Sequence, residues 1–179
     1  MYNCGGYERL ETVAALKDYV DIWLPDFKYF DNRLAARYSG APDYFETAAA
    51  AIRQMIDQTG PPVYFPENSN SAGQADTPLL KKGVIIRHMV LPSHKSDSMA
   101  LLNWISEHFP RGQYLVSLMS QYTPMFHSSG YPHLNRRITS YEYYKVVDEA
   151  IRLGLTDGFM QEKSSAREEY TPPFDLEGL

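Results

Sequence analysis

Asp26 and Lys28 flank Phe27 at the end of an apolar, β-branched and aromatic run, Val20-Asp21-Ile22-Trp23-Leu24-Pro25. Alternate residues of an extended backbone point the same way, so this carboxylate and this ammonium can face one ligand. The pair suits a zwitterion or a hydroxyl-bearing ribose, although a solvated ion pair at a strand end has the same spacing. Arg87 lies within a second apolar run, Gly83-Val84-Ile85-Ile86-Arg87-His88-Met89-Val90-Leu91, and shares parity with Ile85 and Met89. A mid-strand arginine needs an anionic partner, either a substrate carboxylate gripped bidentately or an internal Asp or Glu. His88 has the opposite parity and reads as a core histidine. Gln121, Tyr122 and Thr123 follow a third apolar run, where a polar and aromatic strand end can hold a flat ring or pack on its own tyrosine. His94, His127 and His133 fall in loop segments without metal-ligand spacing, so no metal site is read here. Cys4 has no neighbouring His or Lys to activate it and reads as a plain loop thiol. A nucleophile elbow and a phosphate-binding glycine loop are both absent.

The elements that must position these groups follow from pattern. Strands are expected at residues 20–25, 83–91 and 114–119, with a short one at 157–161. Helices are expected at 8–17, 31–39, 43–58 and about 97–109, and from Thr139, where Glu142 completes a capping-box pattern, to Gly154. Residues 66–78 read as an exposed loop, and the tail with Pro172-Pro173-Phe174 as irregular. The near-continuous apolarity of residues 83–91 suggests a strand covered on both faces. The opening Met1-Tyr2-Asn3-Cys4-Gly5-Gly6 reads as a glycine turn at the end of a strand–loop–helix unit whose strand is missing. Alternating helices and strands predict parallel pairing with right-handed crossovers, in too few units to close an eight-stranded barrel.

The whole chain, residues 1–179, is expected to form one α/β domain. Its net charge of −5 and lack of a Lys/Arg run argue against a nucleic-acid or anionic-membrane surface. No apolar stretch approaches the ~20 residues that span a bilayer, and no secretory signal pattern opens the sequence. The lone cysteine excludes, for this chain alone, an internal disulfide, a multi-cysteine zinc site or a cysteine-ligated iron–sulfur cluster. A reducing cytoplasm is the expected compartment.

Five strings together carry a resemblance. They are Tyr2-Asn3-Cys4-Gly5-Gly6-Tyr7-Glu8, Leu24-Pro25-Asp26-Phe27-Lys28-Tyr29, Ile86-Arg87-His88-Met89-Val90-Leu91-Pro92, Met119-Ser120-Gln121-Tyr122-Thr123-Pro124 and Leu134-Asn135-Arg136-Arg137. In this order they resemble radical S-adenosylmethionine proteins, in the branch of uncharacterised relatives of pyruvate formate-lyase activating enzyme. The likeness extends to Phe174-Asp175-Leu176-Glu177-Gly178. That family is built on a partial (β/α) barrel, in which a cysteine triplet holds a 4Fe–4S cluster. The cluster cleaves S-adenosylmethionine reductively to a 5′-deoxyadenosyl radical. A Gly-Gly-Glu segment holds the methionine amino group.

Neither the triplet nor the Gly-Gly-Glu segment occurs here. The resemblance therefore implies a partial TIM-like barrel truncated to its C-terminal half, opening near the end of the family's third strand. It implies S-adenosylmethionine contacts from Asp26, Lys28 and Arg87, and places Gln121, Tyr122 and Thr123 near the adenine. Thr123 stands where glycyl-radical activators carry a ring-stacking histidine, and Ser93 where Gly commonly follows the strand's Pro. The intact parent is expected to use S-adenosylmethionine and a 4Fe–4S cluster on a protein or small-molecule substrate. This chain is expected to bind no cofactor tightly and to be inactive alone. A homo-oligomer is expected to cover the cut barrel edge along residues 20–24, left unpaired by the missing strand. A non-catalytic half-barrel binding a partner or small ligand is the alternative. A complete small enzyme using Asp26, Lys28 and Arg87 without a cluster is a third reading.

Overall fold

A computed structural model describes residues 1–66 and 79–160 of the chain. In chain order these form β1 (Tyr2–Cys4), α1 (Leu10–Ala15), β2 (Ile22–Pro25), α2 (Asn32–Ser39), α3 (Tyr44–Thr59), β3 (Val63–Tyr64), β4 (Leu80–Met89), α4 (Lys95–His108), β5 (Leu115–Met119), a 3-10 turn (Phe126–Gly130), α5 (Ser140–Arg152) and β6 (Gly158–Met160). The loop expected at 66–78 falls almost wholly outside the described residues, as does the tail from 161 onward.

The main sheet runs β1-β2-β4-β5-β6, every pair parallel. Because spatial order follows chain order, right-handed crossovers put successive helices on one face of the sheet. That winding belongs to a barrel segment rather than to a doubly wound sheet. Burial agrees. Trp23, Phe27, Val84, Ile86, His88, Val116 and Leu118 are buried, whereas Ile22, Leu24, Ile85, Arg87, Met89, Ser117 and Met119 are only partly covered. The apolar run of β4 is thus covered fully on one face and half on the other, a correction to the two-sided burial expected. An inner barrel face carries apolar residues too, so composition does not separate the two cases.

The missing strand is present. β1 pairs with β2 in the register Tyr2↔Trp23, Asn3↔Leu24 and Cys4↔Pro25. The edge of β2 expected to be open is therefore occupied by the chain itself from Trp23 to Pro25, so the edge expected along residues 20–24 is open at most over 20–22. An oligomer along that edge would meet β1 in place of an open Trp23–Pro25. Three residues ending in a glycine turn offer too short a pattern to announce a strand.

Local chemistry fixes the helices. The Asp31 side chain accepts from Arg33 N at 2.8 Å and caps α2, which Gly40 closes. Thr139 and Glu142 form the reciprocal capping box of α5. Asp43 precedes α3 but does not cap it; its carboxylate takes the Tyr7 hydroxyl instead. Asp97 does not open α4 either. It accepts from Phe30 N at 3.1 Å and Asp31 N at 2.8 Å, tying the β2–α2 loop to α4. The buried stripe of α3, including Ala48, Ile52, Met55 and Ile56, packs toward the sheet, each large side chain contributing about 1.5–3 kcal/mol of apolar burial. β3, unforeseen, forms an antiparallel pair with the start of β4. Among the described residues no helix is long and apolar enough to cross a membrane.

Candidate functional site

The C-terminal ends of β1, β2 and β4 lie side by side. Asp26 N donates to Cys4 O at 2.9 Å and Phe27 N to Arg87 O at 2.8 Å, and Asp26 and Arg87 form a parallel bridge just beyond β2. At this level the partly covered face carries charge. Arg87 Nε donates to Asp26 Oδ1 at 2.8 Å, and its Nη2 bonds the same oxygen. Lys28 Nζ stands 3.6 Å from Asp26 Oδ2. The side chains are 20% exposed for Asp26, 24% for Arg87 and 39% for Lys28, so all three reach solvent. Strand parity paired Asp26 with Lys28, the resemblance added Arg87, and the structure brings both cations to Asp26. One carboxylate between two cations leaves a surplus positive charge at the C-terminal end of the sheet. Arg87 has the internal acidic partner that a mid-strand arginine requires.

A pin that the sequence did not reveal holds this site. The Tyr44 hydroxyl, buried at the start of α3, accepts from Lys28 N at 2.9 Å and can donate to Asp26 O at 2.8 Å or Gly5 O at 3.0 Å. Burial, as the largest cause, pushes its phenol well above the ordinary tyrosine range. Tyr7 stacks on Tyr44 at 5.9 Å and Tyr29 meets it edge-on at 5.4 Å. Gly6 closes the arrangement with φ +79°; a Cβ there would lie 2.1 Å from Asp26 O. The glycine turn read from sequence is therefore a close backbone approach to the site. Cys4, at the end of β1, is half-buried, and burial pushes its thiol up, away from the reactive thiolate.

Gln121, Tyr122 and Thr123 lie beyond β5. Gln121 is exposed and the other two partly covered. Thr123 Oγ1 donates to Gln121 O at 3.4 Å. These groups share an end of the sheet, and among the described residues no hydrogen bond or ion pair joins any of the three to Asp26, Lys28 or Arg87. His88 is a core residue as read: its Nδ1 donates to Phe27 O and its Nε2 accepts from Ser98 Oγ, both at 2.8 Å. Burial lowers its pKa and keeps it neutral.

Ser93 has φ 65°, which explains a glycine preference at this turn. Its N–H donates to Glu142 Oε1 at 2.7 Å, and its hydroxyl accepts from Arg136 at 3.0 Å. Arg136 also grips Glu142 through both terminal nitrogens, at 2.8 and 2.6 Å. The first arginine of the Leu-Asn-Arg-Arg string, Arg136, thus braces two loops.

No family model matches the sequence. An uncharacterized protein of Methanocaldococcus jannaschii is 27% identical over 156 residues, covering 87% of this chain and 38% of that protein. The chain thus spans well under half the length of that curated relative. The crystal structure of a domain of pyruvate-formate lyase-activating enzyme from Bacteroides vulgatus superposes with a TM-score of 0.56 at 13% identity, covering 86% of this chain and 75% of that one. The chain shares the fold of that domain. The mixed α/β architecture with a parallel sheet expected from the sequence is the one found.

Proposed function

We propose that this chain forms the later part of a radical S-adenosylmethionine barrel related to pyruvate-formate lyase-activating enzyme, and that Asp26, Lys28 and Arg87 contact S-adenosylmethionine there. The observation that carries this reading is the meeting of the three charges at the C-terminal ends of adjacent parallel strands, on the half-covered face. Ligands of parallel α/β sheets bind at that end. The fold shared with the activating-enzyme domain supports it. The donor set fits a zwitterionic amino acid joined to a ribose. Lys28 and Arg87 offer donors to a carboxylate, and Asp26 Oδ2, held only at 3.6 Å by Lys28, offers an acceptor for ammonium or hydroxyl groups. Gln121, Tyr122 and Thr123 are assigned to the adenine side.

The residues present do not fit a 4Fe–4S cluster. One half-buried thiol with a raised pKa replaces the three thiolates needed. In this reading the cluster belongs to residues outside this sequence, and this chain's share of the work is to hold and orient S-adenosylmethionine. Anaerobic reconstitution with iron and sulfide is expected to leave the isolated chain without a stoichiometric cluster. Mixing it with a polypeptide that carries the family's first barrel units and cysteine triplet is expected to give an iron–sulfur protein that consumes S-adenosylmethionine. A stoichiometric cluster in the monomeric chain, or an assembled pair that leaves S-adenosylmethionine intact, would overturn the reading.

A further inference from the structure

Three side chains from three separate segments meet beyond the C-terminal ends of the strands. Tyr38 lies in the last turn of α2, His94 immediately precedes α4, and His133 lies between β5 and α5. The Tyr38 hydroxyl is 3.0 Å from His94 Nε2 and 2.8 Å from His133 Nε2. The imidazole rings stand edge to face with centroids 5.6 Å apart, and all three side chains are half-buried. Sequence spacing concealed this convergence because the topology, not a helix or a hairpin, produces it.

A phenol carries one proton, so it donates to one imidazole while the other donates its Nε2 proton to the phenol oxygen. Both Nε2 atoms thus point at the Tyr38 oxygen, which gathers two ring nitrogens and one oxygen within hydrogen-bond reach. Among the described residues no three His, Cys, Asp or Glu side chains gather; the third donor here is the phenol. The Arg37 guanidinium lies 5.8 Å from the Tyr38 ring centroid.

We propose that His94, His133 and Tyr38 form a site for a zinc-class divalent ion, with two nitrogen ligands, one phenolate oxygen and a further position open to water. The Tyr38 O–H bond breaks and its proton leaves to solvent. The imidazole that had donated to the phenol becomes an acceptor at Nε2 by shifting its proton to Nδ1. One metal–oxygen and two metal–nitrogen bonds then form as bonds from the hydrated ion to its waters break and those waters leave to solvent, with no change of oxidation state. Ligands about 2.0–2.2 Å from a tetrahedral ion lie about 3.3–3.6 Å from one another, so each Nε2 must draw back from the phenol oxygen by about 0.3–0.8 Å and turn toward the ion. The nearby guanidinium disfavours cations held by charge alone, and nitrogen-rich ligands select zinc, cobalt, nickel or copper over magnesium or calcium. A bound ion would cross-link α2, the start of α4 and the β5–α5 connection. The proposal stands apart from S-adenosylmethionine binding and does not depend on it.

The test strips the purified chain with a chelator and titrates it with Co²⁺, following visible absorption and bound metal after gel filtration. One ion per chain is expected, displaced by Zn²⁺ and not by excess Mg²⁺. His94→Ala and His133→Ala should each weaken binding at least about tenfold, with His108→Gln and Cys4→Ser unchanged. Tyr38→Phe, which keeps the ring packing, should abolish the phenolate-to-metal charge-transfer band seen with Cu²⁺. Failure of the parent chain to take up Co²⁺ stoichiometrically, unchanged affinity in both histidine variants, or loss of binding in Cys4→Ser would each overturn the proposal.

Discussion

Asp26 is the hinge of the charged site, because two cations share its one carboxylate. Asp26→Asn would leave Arg87 and Lys28 facing each other without an anion. Breaking a partly buried pair from one side costs about 1–3 kcal/mol, and urea unfolding of the variant should show that loss. Arg87→Met should cost less, because its aliphatic chain still packs, and the double variant should recover part of the sum, giving a measurable coupling. Unfolding energies that simply add would show that the pair contributes nothing. At this scale the sequence was informative where the signal was local. Alternation along a strand set Asp26 and Lys28 on one face and put Arg87 and His88 on opposite faces of theirs, while the resemblance brought Arg87 to the pair. Tyr44 and the His94–Tyr38–His133 cluster escaped, since the partners of the Tyr44 hydroxyl include groups 18 and 39 residues away, and Tyr38 lies 56 and 95 residues from its histidines.

The elements repeat that lesson. The Thr139–Glu142 box is a four-residue pattern and was legible, but the bonds that bring Ser93 N and Arg136 to the same carboxylate are not local to it. Arg136 above all, with Thr139 and Ser93, holds Glu142 far below the usual carboxylate range, and Arg152 with Asn103 lowers Glu149 to about 2. Both folded-state values lie below that of the unfolded chain, so the stabilisation is complete above the unfolded glutamate pKa of about 4.3 and fades as pH falls below it. His88, also lowered, begins to erode stability as pH falls through about 6.5. Urea midpoints measured from pH 7 to pH 3 should therefore decline, and Glu142→Gln should flatten the limb below pH 4.3 while lowering stability at pH 7. An unaltered acid limb in that variant would contradict the assignment. Gly6 offers a second check: a Cβ 2.1 Å from Asp26 O, at φ +79°, cannot be housed without moving β1. Gly6→Ala is expected to lose about 2 kcal/mol or more, read as a lowered thermal midpoint. β1 and β3 were not read correctly for a different reason. Strands of three and two residues have no period to detect, and only their partners define them.

Over the whole molecule, a singly wound sheet carries helices on one face and leaves the other half-covered, with the charged triad at one end of that face. Alternation of helices and strands foretold parallel pairing, because few topologies satisfy short right-handed connections. It did not foretell which face stays open, since inner barrel faces are as apolar as buried ones. Amides of β4 and β5, with a neighbour on each side, should exchange slowest with deuterium, while those of β1 and β6 at the ends of the sheet should exchange first. Uniform exchange across all the strands would mean that the sheet opens as one unit.

Binding of S-adenosylmethionine at the charged end of this sheet is tested most directly by titrating the isotopically labelled chain with the compound and following backbone amide resonances. Weak, saturable shifts are predicted at residues 26–28, 87–89 and 121–123, absent from folded Asp26→Asn and Arg87→Met proteins. No shift up to the highest soluble concentration, or shifts that persist unchanged in both variants, would contradict the assignment.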